Sequence, residues 1–269
     1  MSEEWLKATS RTIKAARVDP SVPNVARVWN YLVGGRDNFE TDRQAARQLI
    51  AAAPVMEHVA PASRAFLRRA VTYLAAEAGI RQFLDIGTGM PTAGNTHEVA
   101  QAVDPSCRIV YVDNDPVVLA HARAGLRSSP EGATSYLDAD ARDTKSIIAG
   151  ASETLDFARP VGVIMIDILN FLEDAGDVVS RLAAEVPAGS YLAAMQPTRD
   201  KRLSVAARRW NQLAPIPVIL RDREQVIRWY SGLELVDPGI VEVHQWRPES
   251  GEPDYPGGMP LLGAVGRKP

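Results

Sequence analysis

Apolar residues recur with two different periods along this chain, and the change between them falls near residue 80. Before it the spacing is helical. Val25, Val28, Trp29 and Leu32 stand at i, i+3, i+4 and i+7, and Leu67, Ala70, Val71 and Leu74 repeat the pattern. Gly34–Gly35 is expected to end the first of these helices and Gly79 the last. Trp5 to Val18, which carries Lys7, Arg11, Lys14 and Arg17, reads as a further, terminal helix. From Gln82 onward short apolar runs take over: Phe83 to Ile86, Ile109 to Val112, Thr134 to Leu137, Val161 to Ile166 and Ser190 to Met195. Helix starts lie between them. Asn95 with Glu98 has the spacing of a capping box, and Asp115 places a capping acceptor just before Pro116. Strand alternating with helix predicts a parallel sheet, and the run from Val161 to Ile166, apolar apart from Gly162, suits a strand buried on both faces. Beyond Gln196 come two more helical stretches, a Pro/Gly-rich segment from Pro248 to Pro260, and a last apolar run from Leu261 to Val265. The pattern divides the chain into a helical cap, residues 1–80, and a sheet domain, residues 81–269.

Composition narrows the class. With 46% hydrophobic and 23% charged residues in 269, the chain can bury an ordinary core and is neither disordered nor low in complexity. Its longest uncharged apolar runs fall short of the roughly 18 residues that span a bilayer. No charged start followed by an apolar stretch marks a signal peptide, so a cytoplasmic protein without a membrane partner is expected. A single cysteine, Cys107, allows neither an internal disulfide nor a cysteine-based zinc site. His58, His97, His121 and His244 are scattered without ligand spacing, so no metal is expected. A net charge of −3 argues against a nucleic-acid partner, which requires a concentrated positive surface. Arg199, Lys201, Arg202, Arg208 and Arg209 are basic but interrupted by Asp200, as on an exposed helix face.

The chemistry concentrates at the ends of the first strands. The run to Ile86 leads into Asp85-Ile86-Gly87-Thr88-Gly89-Met90-Pro91, and a helix opens near Asn95. Glycines at such a turn let a ligand approach the backbone, and the helix N-terminus adds partial positive charge. A dinucleotide fingerprint would want a third glycine where Met90, Pro91 and Thr92 stand. Asp113 follows the second strand, 24 residues beyond Gly89, where a carboxylate can accept from both ribose hydroxyls. Asp140 is expected to end the third strand. Asp113 suits the ribose of either a nicotinamide dinucleotide or an adenosyl sulfonium compound. Asp85 favours the second, because an acid there attracts an ammonium group and repels a pyrophosphate.

At these residues the chain resembles the class I S-adenosylmethionine-dependent methyltransferases, whose first motif reads acid-x-Gly-x-Gly. More narrowly, PNVARVWNYLVGGRDNFETDR at 23–43, FLDIGTGMPTAGNTHEVAQ at 83–101, VYVDNDPVVLAHARAGL at 110–126 and GLELVDPGIVEV at 232–243 resemble the actinobacterial methyltransferase family once catalogued as DUF574. The resemblance implies an α/β, Rossmann-like fold with a seven-stranded, mostly parallel sheet whose last strand is antiparallel, plus the N-terminal helical cap. It implies S-adenosylmethionine as cofactor and leaves the acceptor open, a small molecule being expected. Carried over residue by residue, it puts the methionine part at Gly87, Thr88 and Gly89 with Asp85 near its amino group, and the ribose on Asp113. Asn114, Asp140 and Ala141 would hold the adenine. From the cap, Tyr31, Gly34, Gly35, Asn38 and Arg64 would close over the sulfonium end, with Arg64 pairing with the methionine carboxylate. Arg68 and Arg69 beside it are expected in solvent.

The fourth strand leads into Asp167-Ile168-Leu169-Asn170-Phe171. Many relatives carry histidine where this chain has Asn170, and an amide takes no proton. Asp167 is then a candidate both for the cofactor site and, with Asn170, for the catalytic step. The sulfonium is already activated, so transfer depends on in-line placement in a dry pocket, and a base is needed only for a poor nucleophile. Asn170 also keeps open a non-catalytic protein that binds S-adenosylmethionine to regulate. The same sheet with Asp113 keeps open a nicotinamide oxidoreductase. His97, in the first turn after the glycines, is expected at the surface. Trp246 and Tyr255 flank the Pro-rich segment and are expected either to line an acceptor pocket or to cover the sheet edge.

Overall fold

The computed structural model describes residues 19–125 and 127–269, so the terminal helix expected over Trp5 to Val18 lies outside the described residues. Among the described residues three helices come first: α1 (Val25–Leu32), α2 (Glu40–Ala52) and α3 (Met56–Ala76). Helices and strands then alternate through β1 (Gln82–Ile86), α4 (Thr96–Val103), β2 (Arg108–Asp113), α5 (Pro116–Gly125), β3 (Ala133–Asp138), α6 (Thr144–Ala151), β4 (Gly162–Met165), α7 (Ala175–Glu185) and β5 (Tyr191–Pro197). After β5 come α8 (Lys201–Leu213), α9 (Arg223–Trp229), the two-residue strands β6 (Glu234–Leu235) and β7 (Val241–Glu242), and β8 (Leu261–Arg267).

The strands form one sheet in the order β3-β2-β1-β4-β5-β8-β6, with β7 beside β8. β1 to β5 run parallel, and β8 runs antiparallel to β5 from Tyr191↔Arg267 to Pro197↔Leu261. The antiparallel last strand is as expected. Among the described residues the count is eight rather than seven, because β6 and β7 each pair with β8 over two residues that no apolar run announces.

Alternation along the strands sorts the core into two layers. Phe83, Ile109, Tyr111 and Ile164 face a cluster built from α1, α2, α3, α4 and α8, whereas Leu84, Val110, Val163 and Leu192 face α6, α7 and α9. Helices α1 to α3 thus pack on the same core as the sheet's first face. Their own geometry is fixed by a buried ion pair. Arg27 Nε donates to Asp42 Oδ2 at 2.7 Å, while Asp42 also accepts from the backbone N–H groups of Asn24 and Phe39.

β1 has β2 on one side and β4 on the other, so the chain turns in opposite directions at its carboxyl end. A crevice opens there in sheets of this kind.

Candidate active site

That crevice is a cleft of about 460 Å³ above the carboxyl ends of β1, β2 and β4, walled by α1 and α3. At its floor Gly87 takes φ +76°, and its N–H donates to Val112 O at 2.8 Å. A Cβ added there would stand 2.5 Å from the Ile168 side chain, so the turn after β1 and the loop after β4 touch in a space only glycine leaves. Gly89, at φ +66°, donates its N–H to Asp113 Oδ2 at 2.9 Å, and Asp115 N–H donates to Asp113 Oδ1 at 2.9 Å. The backbone N–H groups of Gly89 and Asp115 therefore fix a carboxylate that retains lone pairs for two further donors. Burial pushes its pKa up, against the pull of those backbone N–H groups.

Asp85 lies beside this turn, 5% exposed, with Thr96 Oγ1 donating to it at 2.6 Å. Burial drives its pKa to about 6; Thr96 and the nearby Arg64 pull the other way, and Asp113 adds to the rise. Such an acid holds room for a cationic partner. Arg64 reaches the cleft from α3 and donates to Gly94 O at 2.6 Å and Ala93 O at 3.3 Å, so it is tied to the loop before α4.

Asn114, Asp140 and Ala141 line the far end. β3 closes at Asp138, not Asp140, which stands two residues on and accepts from Arg142 N–H at 2.8 Å. After β4, Asp167 takes φ +62°, a left-handed conformation uncommon outside glycine. Ser63 Oγ is 3.2 Å from its Oδ1, and burial raises its pKa to about 7 against the pull of Ser63 and Arg64. Asn170 follows in a single 3-10 turn, buried, with Oδ1 lacking a partner among the described residues.

Apart from Arg64, the cap residues that line the cleft are other than those the sequence pointed to. Tyr31, Gly34, Gly35 and Asn38 are not among the residues lining the cleft; Asn24, Val25, Ala26, Trp29, Asn30 and Val33 are. The turn after α1 folds back on the helix. A Cβ on Gly35 would overlap the Asn30 side chain, and Asn38 Nδ2 donates to Asn30 Oδ1 at 2.8 Å and to Gly35 O at 3.0 Å. Asn24 both caps α1 and donates from Nδ2 to Asp115 Oδ2 at 2.7 Å, which ties the cap to the loop that holds Asp113. Its Asn-x-x-Arg cap ahead of an apolar face was the signal available in the sequence.

Two further expectations are corrected. His97 is buried rather than at the surface, because its Nδ1 lies 2.8 Å from the Tyr111 hydroxyl beneath the cleft floor. Arg69 is buried rather than in solvent, paired with Glu252 and donating to Trp246 O and Val243 O, while Arg68 pairs with Glu249 and Glu252. Trp246, expected either to line an acceptor pocket or to cover the sheet edge, is fully buried against Phe66 and Tyr73 and is not among the residues lining the cleft. Arg221 was not foreseen. It is buried, donates to Leu169 O at 2.8 Å and to the carbonyls of Leu172 and Glu173, and so clamps the loop carrying Asn170. Among the described residues no group of three or more His, Cys, Asp or Glu is placed to hold a metal ion. None of their helices is long and apolar enough to cross a membrane.

A glycine turn, a buried acid before it and a backbone-held acid 24 residues on, at the crevice of a 3-2-1-4-5 sheet, match a family described as S-adenosyl methyltransferases, whose model covers residues 11–269. The chain belongs to that family. A DUF574 family protein of Streptomyces avermitilis MA-4680 is 41% identical, superposes with a TM-score of 0.90, and matches over 94% of this chain and 100% of its own. A candidate methyltransferase of Thermobifida fusca YX is 38% identical with a TM-score of 0.84, over 92% of this chain and 96% of its own. Magnesium protoporphyrin IX methyltransferase of Synechocystis PCC 6803, solved with bound S-adenosylhomocysteine, shares the fold at 12% identity and TM-score 0.51, over 86% and 95%. No curated protein matches the chain. The family's cofactor is S-adenosylmethionine, and the chain is an enzyme of the methyltransferase class.

Proposed function

We propose that the cleft holds S-adenosylmethionine for methyl transfer to a small-molecule acceptor, with its methionine end at Gly87–Gly89. Asp85 takes the amino group, Arg64 the carboxylate, Asp113 the ribose hydroxyls, and Asn114 with Asp140 and Ala141 the adenine. The observation that carries this reading is the burial of Asp85 beside a turn in which Gly87 leaves no room for a side chain. A pyrophosphate would be repelled there, whereas an ammonium group would relieve a buried acid. The cofactor supplies an activated methyl group. What the chain's own residues add is position and dryness: Trp29 and Val25 from α1 and Ile168 and Phe171 from the loop after β4 line the cleft and keep water from it.

Asp113→Ala removes charge-assisted hydrogen bonds worth about 1.5–3 kcal/mol, so affinity for S-adenosylhomocysteine falls about ten- to a hundredfold in calorimetric titration. An unchanged affinity would remove Asp113 from the site.

Affinity also depends on pH. Only ionised Asp85 attracts an ammonium group, and its pKa in the free protein is raised to about 6. Below that value each pH unit costs about tenfold in affinity, and above it the dependence flattens. Titrations of the wild type between pH 5 and 8 should show this bend, and Asp85→Asn should lose it.

A further inference from the structure

Behind the cleft lies a second, smaller cavity of about 80 Å³ that shares Val25, Trp29, Asp167 and Phe171 with it. Apart from Asn170, its remaining walls are apolar and come from α1, α2, α3 and α8, Leu49, Val59, Ala206 and Trp210 among them, and from Pro197, Val218 and Leu220. A cavity that takes benzene measures about 150 Å³, so a ring seated in this one fills it and extends into the adjoining cleft past the shared residues. Among the described residues no Lys, Arg, His or Glu lines it, and the polar members are Asp167 and Asn170. We propose that this cavity is the acceptor site, and that it takes an uncharged, ring-sized compound whose reacting hydroxyl faces Asp167 and whose second donor meets Asn170.

Four observations converge on that occupant, which rests on the methyltransferase reading above. A wall without fixed charge other than Asp167 disfavours carboxylated or phosphorylated acceptors, since nothing there offsets their desolvation. Asn170, 6% exposed, has an Oδ1 atom without a hydrogen-bond donor among the described residues, and a buried acceptor left so calls for a donor from a ligand. Asp167 stands at the wall between cofactor cleft and apolar cavity, in a backbone conformation that costs energy to hold. Ser63 Oγ lies 2.9 Å from Val59 O and 3.2 Å from Asp167 Oδ1 but has one proton. Turned to Asp167 it supports the carboxylate; turned to Val59 it accepts from the acid. The site therefore tolerates Asp167 with or without a proton, which a proton acceptor needs.

A base is required when the acceptor must lose a proton to become nucleophilic, which points to a hydroxyl. In the transfer the acceptor oxygen bonds the methyl carbon, the carbon–sulfur electron pair stays with sulfur, and the hydroxyl proton passes to Asp167 and then to solvent. A sulfonium and a neutral hydroxyl become a thioether, a methyl ether and one proton.

The test uses the full chain with S-adenosylhomocysteine bound, titrated calorimetrically with catechol, resorcinol, hydroquinone, phenol and benzoate. The best-spaced dihydroxybenzene should bind saturably, about tenfold tighter than phenol, and benzoate weakest. Asn170→Leu should erase the difference between that dihydroxybenzene and phenol. Ala206→Phe and the milder Ala207→Leu, both filling the cavity from α8, should each weaken the dihydroxybenzene at least about tenfold and leave S-adenosylhomocysteine affinity unchanged. If S-adenosylhomocysteine binds while no dihydroxybenzene does at millimolar concentration, or if benzoate binds best, or if neither filling variant matters, the acceptor site is refuted and the cofactor reading stands. If S-adenosylhomocysteine itself fails to bind, the cofactor reading falls, and the acceptor site with it.

Discussion

Asp42→Ala is expected to destabilise the protein by about 3–5 kcal/mol, the cost of breaking a buried ion pair by removing one partner. Asp42 is wholly buried and accepts three hydrogen bonds: from Arg27 Nε at 2.7 Å, Asn24 N–H at 2.9 Å and Phe39 N–H at 2.8 Å. With it gone, Arg27 stays buried with the carbonyl oxygens of Val22 and Asp19 as its hydrogen-bond acceptors. A guanidinium left with dipoles in place of a carboxylate bears most of its desolvation cost. Because a kcal/mol shifts the melting point of a domain this large by about 2–4 °C, thermal unfolding should move down by roughly 6–20 °C. Asp42→Asn keeps an acceptor oxygen and should lose less. The pair also seats Asn24 and Trp29 against the cleft, so the same variant should bind S-adenosylhomocysteine more weakly. An Asp42→Ala protein within about 1 kcal/mol of wild type would show that this pair does not hold the cap.

Gly87→Val is expected to cut S-adenosylhomocysteine affinity by at least about a hundredfold. Two costs add. A left-handed residue with a side chain costs about 1–2 kcal/mol, more for a β-branched one. The Cβ also meets Cβ, Cγ1 and Cδ1 of Ile168 at 2.5, 2.6 and 2.8 Å, so either the glycine turn or the Asp167–Ile168 segment must move. Both carry cleft residues, and either shift misplaces the carboxylate of Asp113 or of Asp167. Gly94→Ala is the control. Gly94 has φ +75° but open space where its Cβ would stand, so it tests the conformational cost alone. A Gly87→Val protein that binds as Gly94→Ala does would remove steric closeness from the account. The double variant Gly87→Ala with Ile168→Ala should recover part of the affinity lost by Gly87→Ala alone, since the clash is between those two positions.

What the sequence made legible follows from the range of the interactions involved. Strands β1 to β5 and β8 were visible because each holds a short, mostly apolar or β-prone run between helical stretches, and Asp85, Gly87, Gly89 and Asp113 because they sit at fixed offsets from those runs. β6 and β7 were not, since two residues beside β8 carry no periodicity. Of the cap residues named from the sequence Arg64 lines the cleft and Tyr31, Gly34, Gly35 and Asn38 do not, because the Asn30–Gly35–Asn38 contacts that turn the loop away are side-chain packing rather than pattern. His97 and Arg69 looked like surface residues in their local windows. Their partners, the Tyr111 hydroxyl and Glu252, lie 14 and 183 residues away, and only the fold brings them together. Asn170 was singled out for the histidine it lacks; the structure adds that its amide oxygen is buried without a donor among the described residues.

The central claim is that the acid before the glycine turn selects an amino-acid cofactor over a dinucleotide. Calorimetric titration of the wild-type protein with S-adenosylhomocysteine and, separately, with NAD at pH 7.5 tests it most directly. The account predicts saturable one-to-one binding of S-adenosylhomocysteine and none of NAD at concentrations where the first is complete. Equal or tighter binding of NAD would contradict it.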